Sequence, residues 1–397
     1  MYDLIVIGGR CAGASTALLA ARAGRRVLVL DRARMPADTV STHLVHQPGV
    51  ALLARWGVLD AALAGGCPPI VESGYHVADV HLRGASRPSD GQQAAYAPRR
   101  TVLDAALADA AVAAGAEFRD QATAVALLSD DDGVLGVRYR TADGRVHEAR
   151  GRLVVGADGM RSAVARFTGA PTVVEDPTLT CVYYAYWRGL PPRFELFEAA
   201  GRFAGTVPTD DGLSVVSVYF PQAEFEAVRR DARRTYAENV ARLVPALRDA
   251  TADDDRFGKL YAVGDQRNFV RQGHGPGWVL LGDAWHHKDS ITARGITDAF
   301  RQADLFAARV VPHLDDPTAL RDALAAYDVE RRDQVLESYR NTLSVARLDV
   351  QDERIRLLRF IERDPRLVEG YFSVVSGVLP VGELYSPDLL AGAARDG

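Results

Sequence analysis

Lysine is nearly absent from this sequence: Lys259 and Lys288 stand among 47 basic residues, the rest being arginine. With abundant Ala, Gly and Asp, that bias looks like a GC-rich bacterial coding sequence and makes each remaining lysine conspicuous. Cysteine is also scarce. Cys11, Cys67 and Cys181 form no C-x-x-C pair and are odd in number, which argues against a disulfide framework and for a reducing, cytoplasmic setting. No apolar run approaches the roughly 20 residues of a membrane span. Met1-Tyr2-Asp3 lacks the basic start of a signal peptide. The net charge is −5, so no overall basic field exists to gather nucleic acid or anionic lipid. With 48% hydrophobic and 25% charged residues over 397 positions, the chain reads as a globular protein of two or three domains.

Residues 3–8, DLIVIG, make a short apolar run of the kind buried on both faces of a parallel sheet. Gly8-Gly-Arg-Cys-Ala-Gly13 follows, then a helical stretch Ala14–Ala23 closed by Gly24, a second strand Val27–Leu30, and Asp31. This is a β-turn-α-β unit with an acid ending its second strand, the pattern that binds a dinucleotide. Gly8 permits the tight turn and Gly13 the close helix–strand packing. The helix start, at Ala14, offers N–H groups to a pyrophosphate. Asp31 can accept hydrogen bonds from an adenosine ribose. One departure stands out: Arg10 occupies the middle glycine position, with an extra glycine at Gly9. Arg10 either adds charge near the phosphates or marks a different turn.

Three further segments bear on the ligand. Arg99-Arg100 opens an alanine-rich helix, followed by a strand near Ala122–Leu128. Arg152–Arg166 reads as a strand, Gly156, Asp158-Gly159, then a helix carrying Arg161 and Ser162. Gly275–Ala307 reads as a strand, Gly282-Asp283, a polar loop, and a long helix opened by Gly295-Ile296-Thr297. Asp283 can reach a polyol hydroxyl. The N–H groups at the Gly295 helix start suit the negative charge of a reduced flavin.

Together the fingerprint, the Asp158-Gly159 pair and the Gly282-Asp283 pair resemble the para-hydroxybenzoate hydroxylase-like flavoproteins, whose relatives include geranylgeranyl reductases and flavin halogenases. The resemblance runs to about residue 340. Ser41–Gly57, Tyr183–Gly189 and the Gly282 segment are most similar to a bacterial group of FAD-dependent oxidoreductases. The resemblance implies FAD as cofactor and NAD(P)H as transient reductant. Asp31 and Arg32 would hold the adenosine end, Val125 would lie by the adenine, and Arg100 would reach the phosphate or ribityl region. Asp283 would hold the ribityl chain, and Gly295, Ile296 and Thr297 would face the flavin ring. Asp158 and Arg161 would contribute to FAD or pyridine nucleotide binding, and Ser41, Thr42 and His43 would pass near the ring. Ser290 stands where this family usually has proline, and Thr297 where it often has asparagine. The catalytic candidates are therefore His43, His287, Lys288 and Ser290. The alternative is that His286 packs inside and Lys288 is solvated. No metal site is expected.

Between the flavin segments, Thr180–Pro221 is rich in alternating β-formers, with a turn signal at Asp210-Asp211-Gly212. Cys181, Tyr183, Ala185 and Trp187 should share one face, and Val182, Tyr184 and Tyr186 the other. Tyr184, Tyr186 and Thr206 are the substrate candidates, although tyrosines can equally build sheet core. Residues 222–256 and the region after Pro317 read as helical. The expected fold combines α/β and α+β: a discontinuous Rossmann-like FAD domain (1–75, 96–176, 258–320), an inserted antiparallel-sheet substrate domain (76–95, 177–257), and a helical C-terminal region (321–397). The expected activity is an NAD(P)H- and O2-dependent monooxygenase that hydroxylates or epoxidises an aromatic or other hydrophobic small molecule in bacterial secondary metabolism, as a monomer or homodimer. A geranylgeranyl-reductase-like flavin reductase is the alternative. A halogenase lacks support, because Trp187 and Trp278 sit in no WxWxIP segment.

Overall fold

The computed structural model describes residues 1–395. Its first sheet has the parallel core order Glu117–Arg119, Val27–Leu30, Tyr2–Ile7, Val146–Gly156, Trp278–Leu280. Leu4, Ile5, Val6, Val154 and Leu28 are fully enclosed, because helices cover one face and a hairpin the other. That hairpin, Thr123–Asp130 and Gly133–Arg140, joins the long strand Val146–Gly156 antiparallel. The helices Cys11–Arg22 and Gly295–Arg309 pack side by side against the same face of the sheet.

The second sheet has seven strands in the order Tyr261–Val263, Thr180–Trp187, Ser214–Pro221, Arg202–Pro208, Phe194–Ala199, Ser73–Val77, Val80–Gly84. It is antiparallel except where Phe194–Ala199 runs parallel to Ser73–Val77. The expected turn at Asp210–Gly212 joins two of its strands. The pleat divides Thr180–Trp187 as its alternation predicts. Cys181, Tyr183, Ala185 and Trp187 pack with Val228, Tyr236 and Val240 of the connecting helices, while Val182 and Tyr184 face the other way. Strands Ser73–Val77 and Tyr261–Val263 both belong to this sheet, so it reaches past the expected boundaries at 76 and 257.

Of the C-terminal helices, Pro317–Ala346 packs mainly on Gly295–Arg309, while Asp352–Glu362 and Pro365–Ser376 lean on the second sheet at Val80–Gly84. Asp316 and Asp364 cap two of them, each followed by a proline whose missing N–H costs nothing at a helix start. The apolar faces of the two shorter helices, with Ala346 at the end of the long one, share a core with Tyr75, Val182, Phe203 and Tyr219 of the sheet. This region therefore joins the cores of both sheets rather than forming a separate appendage.

Candidate functional site

A cavity of about 710 Å³ opens at the C-terminal ends of strands Tyr2–Ile7, Val27–Leu30, Val146–Gly156 and Trp278–Leu280. That is where open α/β sheets place their ligands. Gly8 and the first turn of Cys11–Arg22 form one part of its wall, and the start of Gly295–Arg309 another. Neither helix has a side-chain cap, so first-turn N–H donors remain for a ligand. The glycines are sterically required. Gly8 has φ +100°, and a Cβ there would lie 2.4 Å from the Ala157 carbonyl oxygen. At Gly13 it would lie 1.7 Å from the Gly8 carbonyl oxygen. Arg10, by contrast, has φ −96°, an angle open to any residue, which explains why this middle position tolerates arginine. Gly9 is needed for a separate reason: a Cβ would strike the Phe118 ring at 2.3 Å.

The acids around the cavity fall into two kinds. Asp31 is buried and oriented, its Oδ2 accepting from the Gly9 N–H at 2.7 Å and its Oδ1 from the Ala33 N–H at 2.8 Å. Remaining lone pairs can accept ribose hydroxyls. Asp283 accepts no hydrogen bond from the described residues and faces the cavity as a free carboxylate. The backbone N–H of Gly282 beside it donates to Gln302 Oε1 at 2.8 Å, tying the turn to the Gly295 helix. Asp158 mainly serves structure: it accepts from Ser162 Oγ at 2.5 Å and the Ala163 N–H at 2.6 Å, fixing the helix Ala163–Thr168.

Asp104 has a role that the sequence reading missed. It is fully buried and accepts from Arg100 Nη2 at 2.9 Å, Arg10 Nη1 at 3.0 Å and Cys11 Sγ at 3.3 Å. Two guanidiniums on one carboxylate leave this cluster with a surplus positive charge beside the cavity, which suits a pyrophosphate. Its spacing of four residues after Arg100 on a helix was a legible signal.

The loop between Asp283 and Gly295 is tightly wired. Lys288 is buried, not solvated, and donates to Asp298 Oδ2 at 2.7 Å and Ser338 Oγ at 2.6 Å. Burial lowers its pKa against the pull of Asp298. Burial would raise Asp298, but Lys288 and Arg294 hold it well below the usual carboxylate range. Ser290 Oγ donates to Gln266 Oε1 at 2.6 Å and lies 3.0 Å from the Tyr219 hydroxyl, which then donates to it. Gln266 Nε2 donates to Thr180 Oγ1 at 2.9 Å, and Thr180 donates to Asp289 Oδ2 at 2.7 Å. Burial pushes Asp289 up to about 6. The Ser290 proton is thus committed inside this chain rather than offered to a ligand. His287 Nδ1 must donate to the Arg267 carbonyl, which leaves Nε2 as an acceptor at the cavity wall.

A second cavity of about 460 Å³ lies between the second sheet and the C-terminal helices. Phe194, Leu196, Phe203, Leu358 and Val374 make it largely apolar. Thr42, Ser217, Tyr219 and Ala293 border both cavities.

Several sequence candidates fall elsewhere. His43 is fully buried, its Nε2 2.6 Å from the Tyr186 hydroxyl, and it borders neither cavity. Burial, with Arg100 nearby, pushes its pKa down to about 3, so it is neutral and no proton shuttle at ordinary pH. Tyr186 is occupied by the same contact and by Arg99 over its ring at 4.7 Å. Thr206 lies on the opposite face of its strand from Gly205 and Val207, which border the apolar cavity; its hydroxyl donates to the Arg193 carbonyl. Thr297 turns its side chain inward, where it accepts from the His46 N–H at 3.1 Å. Val125 sits in a bulge between Ala124 and Ala126, and the cavity wall ends at Ala124. Ala14 belongs to the core beneath the first turn, where Arg10, Cys11 and Ala12 take the lining role. Gly8, Asp31, Arg32, Ser41, Arg100, Tyr184, Asp283, Gly295 and Ile296 do border the larger cavity.

The residues fit FAD. Gly8 forms a cradle that a Cβ would fill, two uncapped helix starts offer N–H donors, and Asp31 and Asp283 offer acceptors for ribose and ribityl hydroxyls. The fold and site define a dinucleotide-binding flavoprotein, and an enzyme of the oxidoreductase class. Residues 1–342 match the FAD binding domain family, and the chain belongs to it. It is 28% identical to digeranylgeranylglycerophospholipid reductase 1 of Methanopyrus kandleri over 87% of this chain and 89% of that one. It is 30% identical to rifampicin monooxygenase of Streptomyces venezuelae over 86% of this chain and 70% of that one. The fold matches PqsL of Pseudomonas aeruginosa with a TM-score of 0.71 at 22% identity, covering 94% of this chain and 99% of that one. Among the described residues no helix is long and apolar enough to cross a membrane, and no cluster of three His, Cys, Asp or Glu side chains could hold a metal.

Proposed function

We propose that this enzyme is an NAD(P)H- and O2-dependent monooxygenase that hydroxylates or epoxidises an aromatic or otherwise apolar small molecule in the cytoplasm. The observation that best supports it is the shared wall of Thr42, Ser217, Tyr219 and Ala293. A molecule in the apolar chamber would meet the cofactor cavity beside the Gly295 helix start. The likeness to rifampicin monooxygenase supports the same reaction class, and three free buried thiols suit a reducing compartment.

Bound FAD would supply hydride acceptance and O2 activation. Gly8, Asp31, Arg100 and Asp283 would bind it. The Gly295 helix start would favour negative charge at the flavin ring. The apolar chamber would exclude water, Tyr219 would orient substrate at the shared wall, and His287 Nε2 would accept a proton at the cavity edge. Pyridine nucleotide would bind transiently.

A prenyl reductase is the second reading, supported by the relative from Methanopyrus kandleri. Anaerobic mixing of holoprotein with NADH and NADPH, followed by 18O2 and candidate aromatics, separates the two. We expect flavin bleaching and product carrying one 18O atom. Saturation of a prenyl double bond without O2 uptake establishes the reductase, and failure of both nucleotides to bleach the flavin rules out the monooxygenase.

A further inference from the structure

Arg294 is a buried cation that the protein leaves almost unpartnered. It immediately precedes the helix Gly295–Arg309 and is 9% exposed. Among the described residues its side chain makes one hydrogen bond, from Nη1 to the Val374 carbonyl at a long 3.4 Å, and its Nε is buried with no partner. No carboxylate lies within ion-pair distance among the described residues. Asp298, one turn along the same helix, is in direct contact with Lys288 at 2.7 Å and acts on Arg294 only through space. A second, half-buried guanidinium, Arg301, donates to the Gly377 carbonyl at 2.8 Å and adds positive charge nearby.

The guanidinium lies at the C-terminal end of the helix Pro365–Ser376, which Gly377 caps. Gly377 has φ +76°, and a Cβ there would lie 2.0 Å from Arg294 Nη2. Arg294 borders the apolar chamber and not the cofactor cavity. The other interior cation of that chamber, Arg354, is neutralised: its Nη1 and Nη2 donate to Glu198 at 2.6 and 2.8 Å, and Nη2 also donates to the Tyr75 hydroxyl. Arg347 and Asp349 also border the chamber but are exposed. An unpaired buried charge is costly unless something compensates it.

Resting on the proposed placement of substrate in this chamber, we propose that Arg294 docks an oxyanion, a carboxylate or a phosphate, carried by an apolar substrate. The guanidinium fork suits either group, and the burial of Arg294 strengthens the contact. Substrate specificity then includes a charge requirement: neutral analogues of the same shape bind weakly.

The test uses FAD-loaded protein and three probes of one shape: 2-naphthoate, 2-naphthyl phosphate and 2-naphthamide, titrated at pH 8 by isothermal calorimetry and flavin absorbance. Wild-type protein should prefer at least one anion over the amide by about tenfold to a hundredfold. Naphthoate or naphthyl phosphate as the preferred probe identifies which oxyanion the chamber accepts. Arg294→Gln should abolish the preference while leaving amide binding and FAD content unchanged, and Arg294→Lys should recover part of it. If Arg294→Gln fails to retain FAD, the wild-type preference and the Arg294→Lys variant decide. Amide binding as tightly as both anions in wild type overturns the anion dock and leaves the chamber assignment standing. Binding of none of the three probes overturns both.

Discussion

Lys288 and Asp298 form a buried ion pair at 2.7 Å, with side chains 5% and 7% exposed, which ties the loop after Asp283 to the helix Gly295–Arg309. The pair also reaches the C-terminal helix through Ser338. One of the two lysines in the chain is therefore a clamp at the edge of the cofactor cavity.

Removing one member of that clamp should be costly. Asp298→Asn leaves the ammonium buried without its counter-charge and should destabilise the protein by about 3–5 kcal/mol. Adding Lys288→Met to it should recover much of the loss. Urea unfolding of the three proteins measures both; a double variant no more stable than Asp298→Asn would show that the pair is not the source.

Asp283 and Asp104 should separate cofactor binding from stability. The Asp283 side chain has no hydrogen bond among the described residues, so Asp283→Ala should weaken FAD binding by about tenfold, near 1.4 kcal/mol, with little change in apoprotein stability. Asp104→Ala uncouples two guanidiniums and should lower both. Reconstitution of apoprotein, followed by flavin fluorescence and thermal unfolding, reads the two effects independently.

The Tyr219–Ser290–Gln266 chain should behave as one unit. Ser290→Ala strands the Tyr219 hydroxyl and should cost about 1–3 kcal/mol, and Tyr219→Phe about 0.5–1.5 kcal/mol. A double-mutant cycle should give a coupling of at least about 0.5 kcal/mol, with FAD affinity unchanged. Strict additivity would mean that the hydroxyls do not interact in solution.

Acid should unfold the protein early. Burial pushes His43, His46 and His286 down to about 3. Unfolded, each takes a proton near its ordinary value of about 6.5. The unfolded state therefore binds more protons below that pH, and stability is present above it and lost as pH falls. Three such groups give a slope of up to about 4 kcal/mol per pH unit. Asp289 works in the opposite direction by about 1.4 kcal/mol per pH unit between its unfolded value and about 6, because its folded pKa is raised. Urea midpoints at pH 7, 6 and 5 check the slope, and His46→Gln should reduce it by about one proton.

Local chemistry was legible in the chain itself. Gly8 and Gly13 are demanded by backbone sterics over a few residues, Asp31 ends a strand whose apolar run announces it, and the pleat sorts Cys181 through Trp187 by parity alone. Asp283 and the Gly295 helix start were readable for the same reason, since strand, turn and helix start lie within one short segment. These are short-range constraints, and a sequence carries them directly.

Long-range partners were decided only by tertiary structure. His43 loses its candidacy because Tyr186, 143 residues away, takes its Nε2. Ser290 loses its free proton to Gln266, and Thr297 turns toward His46 across 251 residues. Thr206 differs from its neighbours Gly205 and Val207 by one step of the pleat, and strand order had to be known before that step could be placed. The apolar chamber itself exists because the C-terminal helices fold back onto the second sheet. Arg294 is conspicuous for the same reason: whether a guanidinium is buried and unpaired depends on Val374, Gly377 and Asp298 arriving together, and no local rule specifies their meeting.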